Sequence, residues 1–349
     1  MILLRKLLFP IAILYGFITS LRNYLYDQGI LKSYSFDIPV IAVGNMSVGG
    51  TGKTPQIEYL VRLLSPNYKV ATLSRGYKRK SEGFVLADAS SNAEILGDEP
   101  FQYFKKFSNL RVAVDADRRN GIEQLVKQKP KPEIILLDDA FQHRKVKAGF
   151  YILLTAYGDL FCDDFVLPMG NLRESRSGAI RANLIVVTKC PPNITESEQE
   201  KIREKLMEFL SCHDATKRND NVFFSSIAYD DKVHNNIESL SISELKLTKK
   251  ILLAGIAKPK SFYDFLKADT DEIMTFSDHH HFSESDIVAI KAKARDKIIV
   301  TTEKDFVRLE AKISEPQLYY LPIKSQFVSN RETFDQIILN YVGTCTRNR

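Results

Sequence analysis

Cysteine is sparse in this chain: Cys162, Cys190, Cys212 and Cys345 are the only four in 349 residues, far apart and without a C-x-x-C pair. That spacing argues against a disulfide framework and against a structural zinc site, and it fits a reducing compartment. Charge of one sign is not in great excess either. Lys and Arg total 49 against 43 Asp and Glu, a formal net charge of +6 that suits an anionic ligand or membrane surface but selects neither. No internal repeat and no low-complexity tract breaks the chain.

A run long enough to span a bilayer is also missing. The apolar stretch from Leu7 to Leu21 covers about 15 residues, against roughly 20 for a spanning helix. A secretory signal would need small residues at a cleavage site, and Tyr24-Leu25-Tyr26 supplies none. The pattern instead predicts a membrane-associated helix over residues 1–27, with Arg5, Lys6 and Arg22 at headgroup depth and Tyr15, Tyr24 and Tyr26 at the interface. The alternative is an amphipathic helix that packs on the domain behind it.

From residue 38 onward, apolar β-rich runs alternate with helical stretches. The predicted strands are 38–43, 69–74, 112–115, 133–139, 150–155 and 184–189, with a helix over 194–210 and a closing strand at 222–227. Near-continuous apolar strands are covered on both faces, so the expectation is a doubly wound, mostly parallel α/β sheet. A polar stretch near 229–249 reads as a linker or peripheral hairpin, after which the alternation restarts. The expected division is therefore a core of residues 28–227 and a second, smaller α/β domain over 228–349.

The segment "VGNMSVGGTGKTP", from Val43 to Pro55, follows an apolar strand and opens a helix. In a phosphate-binding loop, successive backbone amides face the phosphate, a Lys reaches the β- and γ-phosphates, and a Ser or Thr hydroxyl ligates Mg²⁺. Gly49, Gly50 and Gly52 permit the backbone, with Ser47, Val48 and Thr51 between and before them, and Lys53 and Thr54 take the two chemical roles at a helix N-terminus. Ser47 stands where the usual spacing has a glycine, which is tolerable if its φ is negative. "IILLDDAFQHR" places Asp138 and Asp139 at a strand end, and two adjacent carboxylates there are best reconciled by a cation.

Other candidates are weaker taken singly. Asp98 and Glu99 in "LGDEPFQYF" read first as caps of a helix starting near Pro100. Arg173, Glu174 and Arg176 in "LRESRSGAIRA", and Arg118 and Arg119 in "DADRRNG", suit phosphate charge and helix starts about equally. His279, His280 and His281 adjoin Asp278. Adjacent histidines point in different directions, so a positioning histidine is a better reading than zinc.

Taken together and in order, "VGNMSVGGTGKTP", "LSRGYKRK", "GDEP", "DADR", "LLDDAFQHR", "GNLRES", "AGIAKPKSF", "FSDHHHF" and "TTEKD", spread over residues 43–305, resemble the tetraacyldisaccharide 4′-kinase family. That family carries a small hydroxyl residue where Ser47 stands. Ala140 departs from the glycine usual after the paired aspartates, and "VKAGF" departs from a more charged run. The resemblance implies a P-loop NTPase-like core with a smaller C-terminal domain across a cleft. It implies ATP- and Mg²⁺-dependent phosphorylation of the 4′-hydroxyl of a tetraacylated glucosamine disaccharide 1-phosphate, at the cytoplasmic face of an inner membrane.

By position, the resemblance makes Lys53 and Arg173 catalytic together with Asp98 as base, helped by one of His279, His280 and His281, of which His279 is preferred. It gives Ser47 to Thr54 and Arg119 to the nucleotide, and Thr54, Glu99, Asp138, Asp139 and Glu174 to the metal. Membrane lipids are expected partners; nucleic acid is not, and no protein partner is evident. Two other readings of the same core stay open: a kinase of a soluble metabolite, and a membrane-associated nucleotide switch. "VVTK" at 186–189 resembles the base-recognition motif of GTPases, yet Cys190-Pro191 follow where an aspartate is needed.

Overall fold

A computed structural model describes residues 5, 7–211, 221–278, 280–313 and 317–347. Helix α1 (Phe9–Asp27) leads into the first sheet, whose strands are β1 (Val40–Asn45), β2 (Val70–Ser74), β3 (Val85–Leu86), β4 (Arg111–Val114), β5 (Ile134–Asp138), β6 (Phe150–Ala156), β7 (Leu184–Thr188) and β8 (Val222–Tyr229). The smaller sheet comprises β9 (Lys232–His234), β10 (Ser239–Ser241), β11 (Lys250–Ala254), β12 (Glu272–Thr275), β13 (Ile298–Thr302) and β14 (Leu318–Leu321). Strand β15 (Ile323–Phe327) then returns to the first sheet, whose order is β15-β8-β7-β6-β1-β5-β2-β4-β3. All its pairings are parallel except β3 with β4 and β15 with β8.

The central strands are apolar throughout because neither face meets water. Ile41 and Val43 of β1 join a core with Ile57, Leu60, Val61 and Leu64 of helix α2 (Lys53–Leu64). Val40 and Ala42, on the opposite face, join a second core with Ile122 and Leu125 of the helix Arg118–Val126. Alternation across a strand places successive side chains on opposite faces, so a strand with a helix on each side needs apolar residues at every position.

One expectation needs correction. The unit expected over 228–349 covers β9 to β14, but the chain's end belongs to the first unit. β15 pairs antiparallel with β8, from Ile323 opposite Tyr229 to Phe327 opposite Ser225, and Phe334, Ile338 and Val342 of the last helix (Arg331–Arg347) enter the first core. Apolar burial on the larger sheet outweighs sequence proximity to the smaller one. Helix α1 is 19 residues long, and among the described residues no helix is long and apolar enough to cross a membrane, in line with the short apolar run of the sequence. It packs on the first unit, with Tyr15 donating to the Arg173 carbonyl at 2.7 Å and Asn23 to Glu174 at 2.6 Å.

Candidate active site

At the carboxyl end of β1 the chain leaves the sheet, crosses a glycine turn and enters α2. Gly49 and Gly52 have φ of +107° and +82°, values that side chains rarely tolerate. Ser47 is not among the positive-φ residues, so the substitution costs the loop nothing in backbone terms. Its backbone forms a bridge to Leu172, and the Asn45 amide donates to the Ser47 carbonyl at 2.7 Å. Ser47 thus anchors the loop, while Val48, Gly49, Gly50, Thr51, Gly52, Lys53 and Thr54 line a cleft of about 1110 Å³.

Asp138 ends β5 and Asp139 follows it, and both line that cleft. Their surroundings separate them. Burial, then Glu99 and Asp139, push the Asp138 carboxyl up to about 7. Burial acts the same way on Asp139, but Lys53 and Arg173 hold it below the ordinary carboxylate value. Lys53 Nζ lies 3.6 Å from Asp139, and Arg173 Nη1 donates to both its oxygens at 3.1 Å. Asp139 has φ of +48°, a left-handed turn that carries its side chain toward these cations.

The donor set around Asp138 fits a hard divalent cation. Its Oδ2 accepts from Ser74 and Tyr103 at 3.3 Å, but its buried Oδ1 has no hydrogen-bond partner. A buried carboxylate oxygen without a donor is costly unless a cation satisfies it. Among the described residues no cluster of three or more His, Cys, Asp or Glu is arranged to hold a metal alone. A Mg²⁺ ion takes one or two protein carboxylates and completes its shell with water and phosphate.

Other predicted site residues fall in different places. Glu174 is buried, but its carboxylate already accepts from Arg181, Asn23 and Gln142 at 2.6–3.0 Å, so it organises the wall instead of offering a free ligand. Glu99 lines the cleft, whereas Asp98 is engaged by Arg308 of the smaller unit, whose Nε donates to its Oδ2 at 2.8 Å. Arg119 does not line the cleft: it bonds Glu123 at 2.8 Å and stacks on Tyr34 with 3.8 Å to the ring centroid. His279 lies outside the described residues.

Arg118, not Arg119, faces the cleft. It is 2% exposed and donates to the Asp115 and Asp138 carbonyls at 2.8 and 3.2 Å, and burial pulls its guanidinium down to about 10. It shares a helix face with Gly121, Ile122 and Leu125, a periodicity already visible in the sequence. The cleft also takes Tyr15, Thr19 and Arg22 from α1, Ser74, Gln142 and His143 from the first unit, and Asp278 and Lys304 from the smaller unit.

A glycine-rich strand–loop–helix turn at the switch point of a mostly parallel sheet, facing paired aspartates, defines the class of α/β proteins that hold phosphate groups at the strand ends. A family model described as tetraacyldisaccharide-1-P 4′-kinase matches residues 4–343, and the chain belongs to that kinase family. It is 64% identical over 345 residues to tetraacyldisaccharide 4′-kinase of Flavobacterium psychrophilum, covering 99% of each. It is 45% identical to the protein of that name from Bacteroides thetaiotaomicron, over 99% of this chain and 95% of the other. A crystal structure of the "apo" form of LpxK from Aquifex aeolicus in complex with ATP superposes with a TM-score of 0.76 at 30% identity, covering 97% of this chain and 99% of that one.

Proposed function

We propose that this kinase, built as a P-loop NTPase, transfers the γ-phosphoryl group of ATP to the 4′-hydroxyl of a tetraacylated glucosamine disaccharide 1-phosphate held in a membrane. The observation that carries the membrane reading is the double role of α1. Tyr15, Thr19 and Arg22 wall the cleft, while Ile11, Ile13, Leu14, Phe17 and Ile18 are each more than half exposed. A contiguous apolar surface of this kind marks an interaction with a membrane or another apolar partner. An acceptor with four acyl chains stays in the bilayer, since each buried CH₂ contributes about 0.8 kcal/mol. A cleft beside an interfacial helix is where its headgroup is reached, and a cytoplasmic inner-membrane face supplies both ATP and that lipid.

Phosphoryl transfer needs positioning and charge neutralisation more than covalent chemistry. The loop amides and Lys53 would cradle the β- and γ-phosphates, with Arg118 and Arg173 meeting the charge that spreads over the transferred group. Thr54, Glu99 and Asp138 would hold Mg²⁺, which neutralises phosphate charge when bound. Asp139 orients Lys53 and Arg173 through the contacts above. Asp98 takes the proton of the 4′-hydroxyl as that oxygen bonds to phosphorus and the bond to ADP breaks, with His279 assigned as its helper.

The test is transfer from γ-labelled ATP to tetraacyldisaccharide 1-phosphate in detergent micelles with Mg²⁺, for wild type and Asp98→Ala. The expected result is a 4′-phosphorylated product that falls at least a hundredfold in the variant while ATP binding is kept. ATP binding without transfer to this acceptor would overturn the acceptor reading.

A further inference from the structure

The "VVTK" segment at the end of β7 has a place beside the phosphate loop. Thr188 Oγ1 lies 2.8 Å from the Thr51 carbonyl oxygen, and the next residue, Lys189, donates from Nζ to the Gly50 carbonyl. Two consecutive side chains, the last of β7 and the one after it, therefore hold two consecutive carbonyls of the loop. Thr188 is buried, and its hydroxyl is also 3.2 Å from the Thr155 carbonyl of β6. A Cβ on Gly52 would touch the Thr188 side chain at 3.7 Å, so β7 is packed directly against the turn. Lys189 itself has φ of +59°, a conformation that a lysine keeps only where surrounding contacts demand it.

A trans peptide is planar, with its carbonyl and amide pointing in opposite directions. Holding the Gly50 carbonyl toward Lys189 turns the Thr51 amide away from β7, and holding the Thr51 carbonyl toward Thr188 does the same for the Gly52 amide. We propose that Thr188 and Lys189 are positioning residues for the nucleotide's polyphosphate, fixing the Thr51 and Gly52 amides toward the phosphate oxygens before ATP arrives. The inference rests on the ATP reading of the cleft. It also accounts for a convergence of cations: burial, then Lys258 of the smaller unit and Lys53, pull the Lys189 ammonium below its ordinary value, with Asp159 opposing. A bound polyphosphate relieves that repulsion. Preorganised amides bind phosphate without the cost of ordering a loop.

The test is titration calorimetry of the full-length, detergent-solubilised protein with MgATP and, separately, with inorganic tripolyphosphate. Wild type is compared with Lys189→Met, Lys189→Arg and Thr188→Val. Lys189→Met and Thr188→Val are expected to weaken both ligands by about tenfold, with kcat at saturating ATP kept within about threefold, and Lys189→Arg to recover most of the affinity. Unchanged tripolyphosphate affinity in Lys189→Met, or a loss confined to ATP, overturns the proposal and leaves the kinase reading intact. If Lys189→Met folds poorly, Thr188→Val and Lys189→Arg decide. A wild type that binds neither ligand would instead overturn the ATP reading itself.

Discussion

Arg308 of the smaller unit and Asp98 of the larger one face each other across the junction. Arg308 Nε donates to Asp98 Oδ2 at 2.8 Å, and its Nη2 donates to the same oxygen. Behind it, Arg308 Nη1 bonds Asp305 at 3.2 Å, and Asp305, fully buried, accepts from the Gly255 amide and the Thr302 hydroxyl at 2.8 Å. The proposed base thus stands on one unit and is oriented by a network anchored in the other, through the packing of helix Glu303–Leu309 on helix Asp98–Lys106.

Arg308→Met is accordingly expected to lower kcat by about 10- to 100-fold while the ATP dissociation constant stays near wild type. Arg308→Lys keeps the charge without the forked geometry and should fall between the two. Steady-state kinetics with calorimetric ATP binding read this directly. A variant that only melts lower, with kcat unchanged, would assign Arg308 to structure alone.

Gly44 in β1 tests how tightly the loop's base is packed. A Cβ there would meet the Phe141 Cβ and backbone N at 2.8 Å, and the backbone cannot yield as a flexible side chain would. Gly44→Ala should therefore destabilise the protein by about 1–3 kcal/mol, seen as a lower melting temperature. Unchanged melting would mean that the segment carrying Phe141, after β5, shifts freely beneath the loop.

How far the sequence anticipates this arrangement depends on the range of the interaction. The first sheet is readable because strands such as "IILLD" at Ile134–Asp138 are buried at every position, which leaves an unbroken apolar run. β15 is not. "IKSQF" buries Ser325 and Phe327 and exposes Lys324 and Gln326, an alternation that says strand but not which sheet. The glycine loop is readable because its chemistry lies in the backbone. Arg118 was separable from Arg119 only by helical face, since charge alone does not tell the two apart. The pair of Asp98 with Arg308, 210 residues apart, leaves no local pattern at all.

The same junction carries a pH-dependent element. Lys106 is 2.6 Å from Glu303 and 2.7 Å from Glu58, both buried carboxylates. Burial first, then the Glu58 charge, raise Glu303 from 4.5 to about 7, with Lys106 opposing. The folded protein therefore holds a proton that the unfolded chain releases. Stability should be greatest below about 4.5 for this group and fall as pH rises through about 7, by roughly 3 kcal/mol at most. Glu303→Gln should remove this fall while Glu58 still partners Lys106, so urea denaturation at pH 5 and pH 8 should differ less in the variant. An identical pH dependence in both proteins would refute the assignment.

The apolar side of α1 gives the most direct check on where the enzyme works. Leu14 and Phe17 are 60% and 64% exposed, and burying each in a membrane interface is worth about 1.5–3 kcal/mol. Leu14→Glu with Phe17→Glu should reduce partitioning onto phospholipid vesicles by at least tenfold, since even part of that energy exceeds the 1.4 kcal/mol of a decade. Neither residue lines the cleft, so ATP affinity should not change. Transfer to acceptor in vesicles should fall with partitioning, and transfer to acceptor in detergent micelles should fall less. If the double variant sediments with vesicles as wild type does, α1 is not the contact, and Ile30 and Phe165, at 66% and 51% exposed, become the next residues to change.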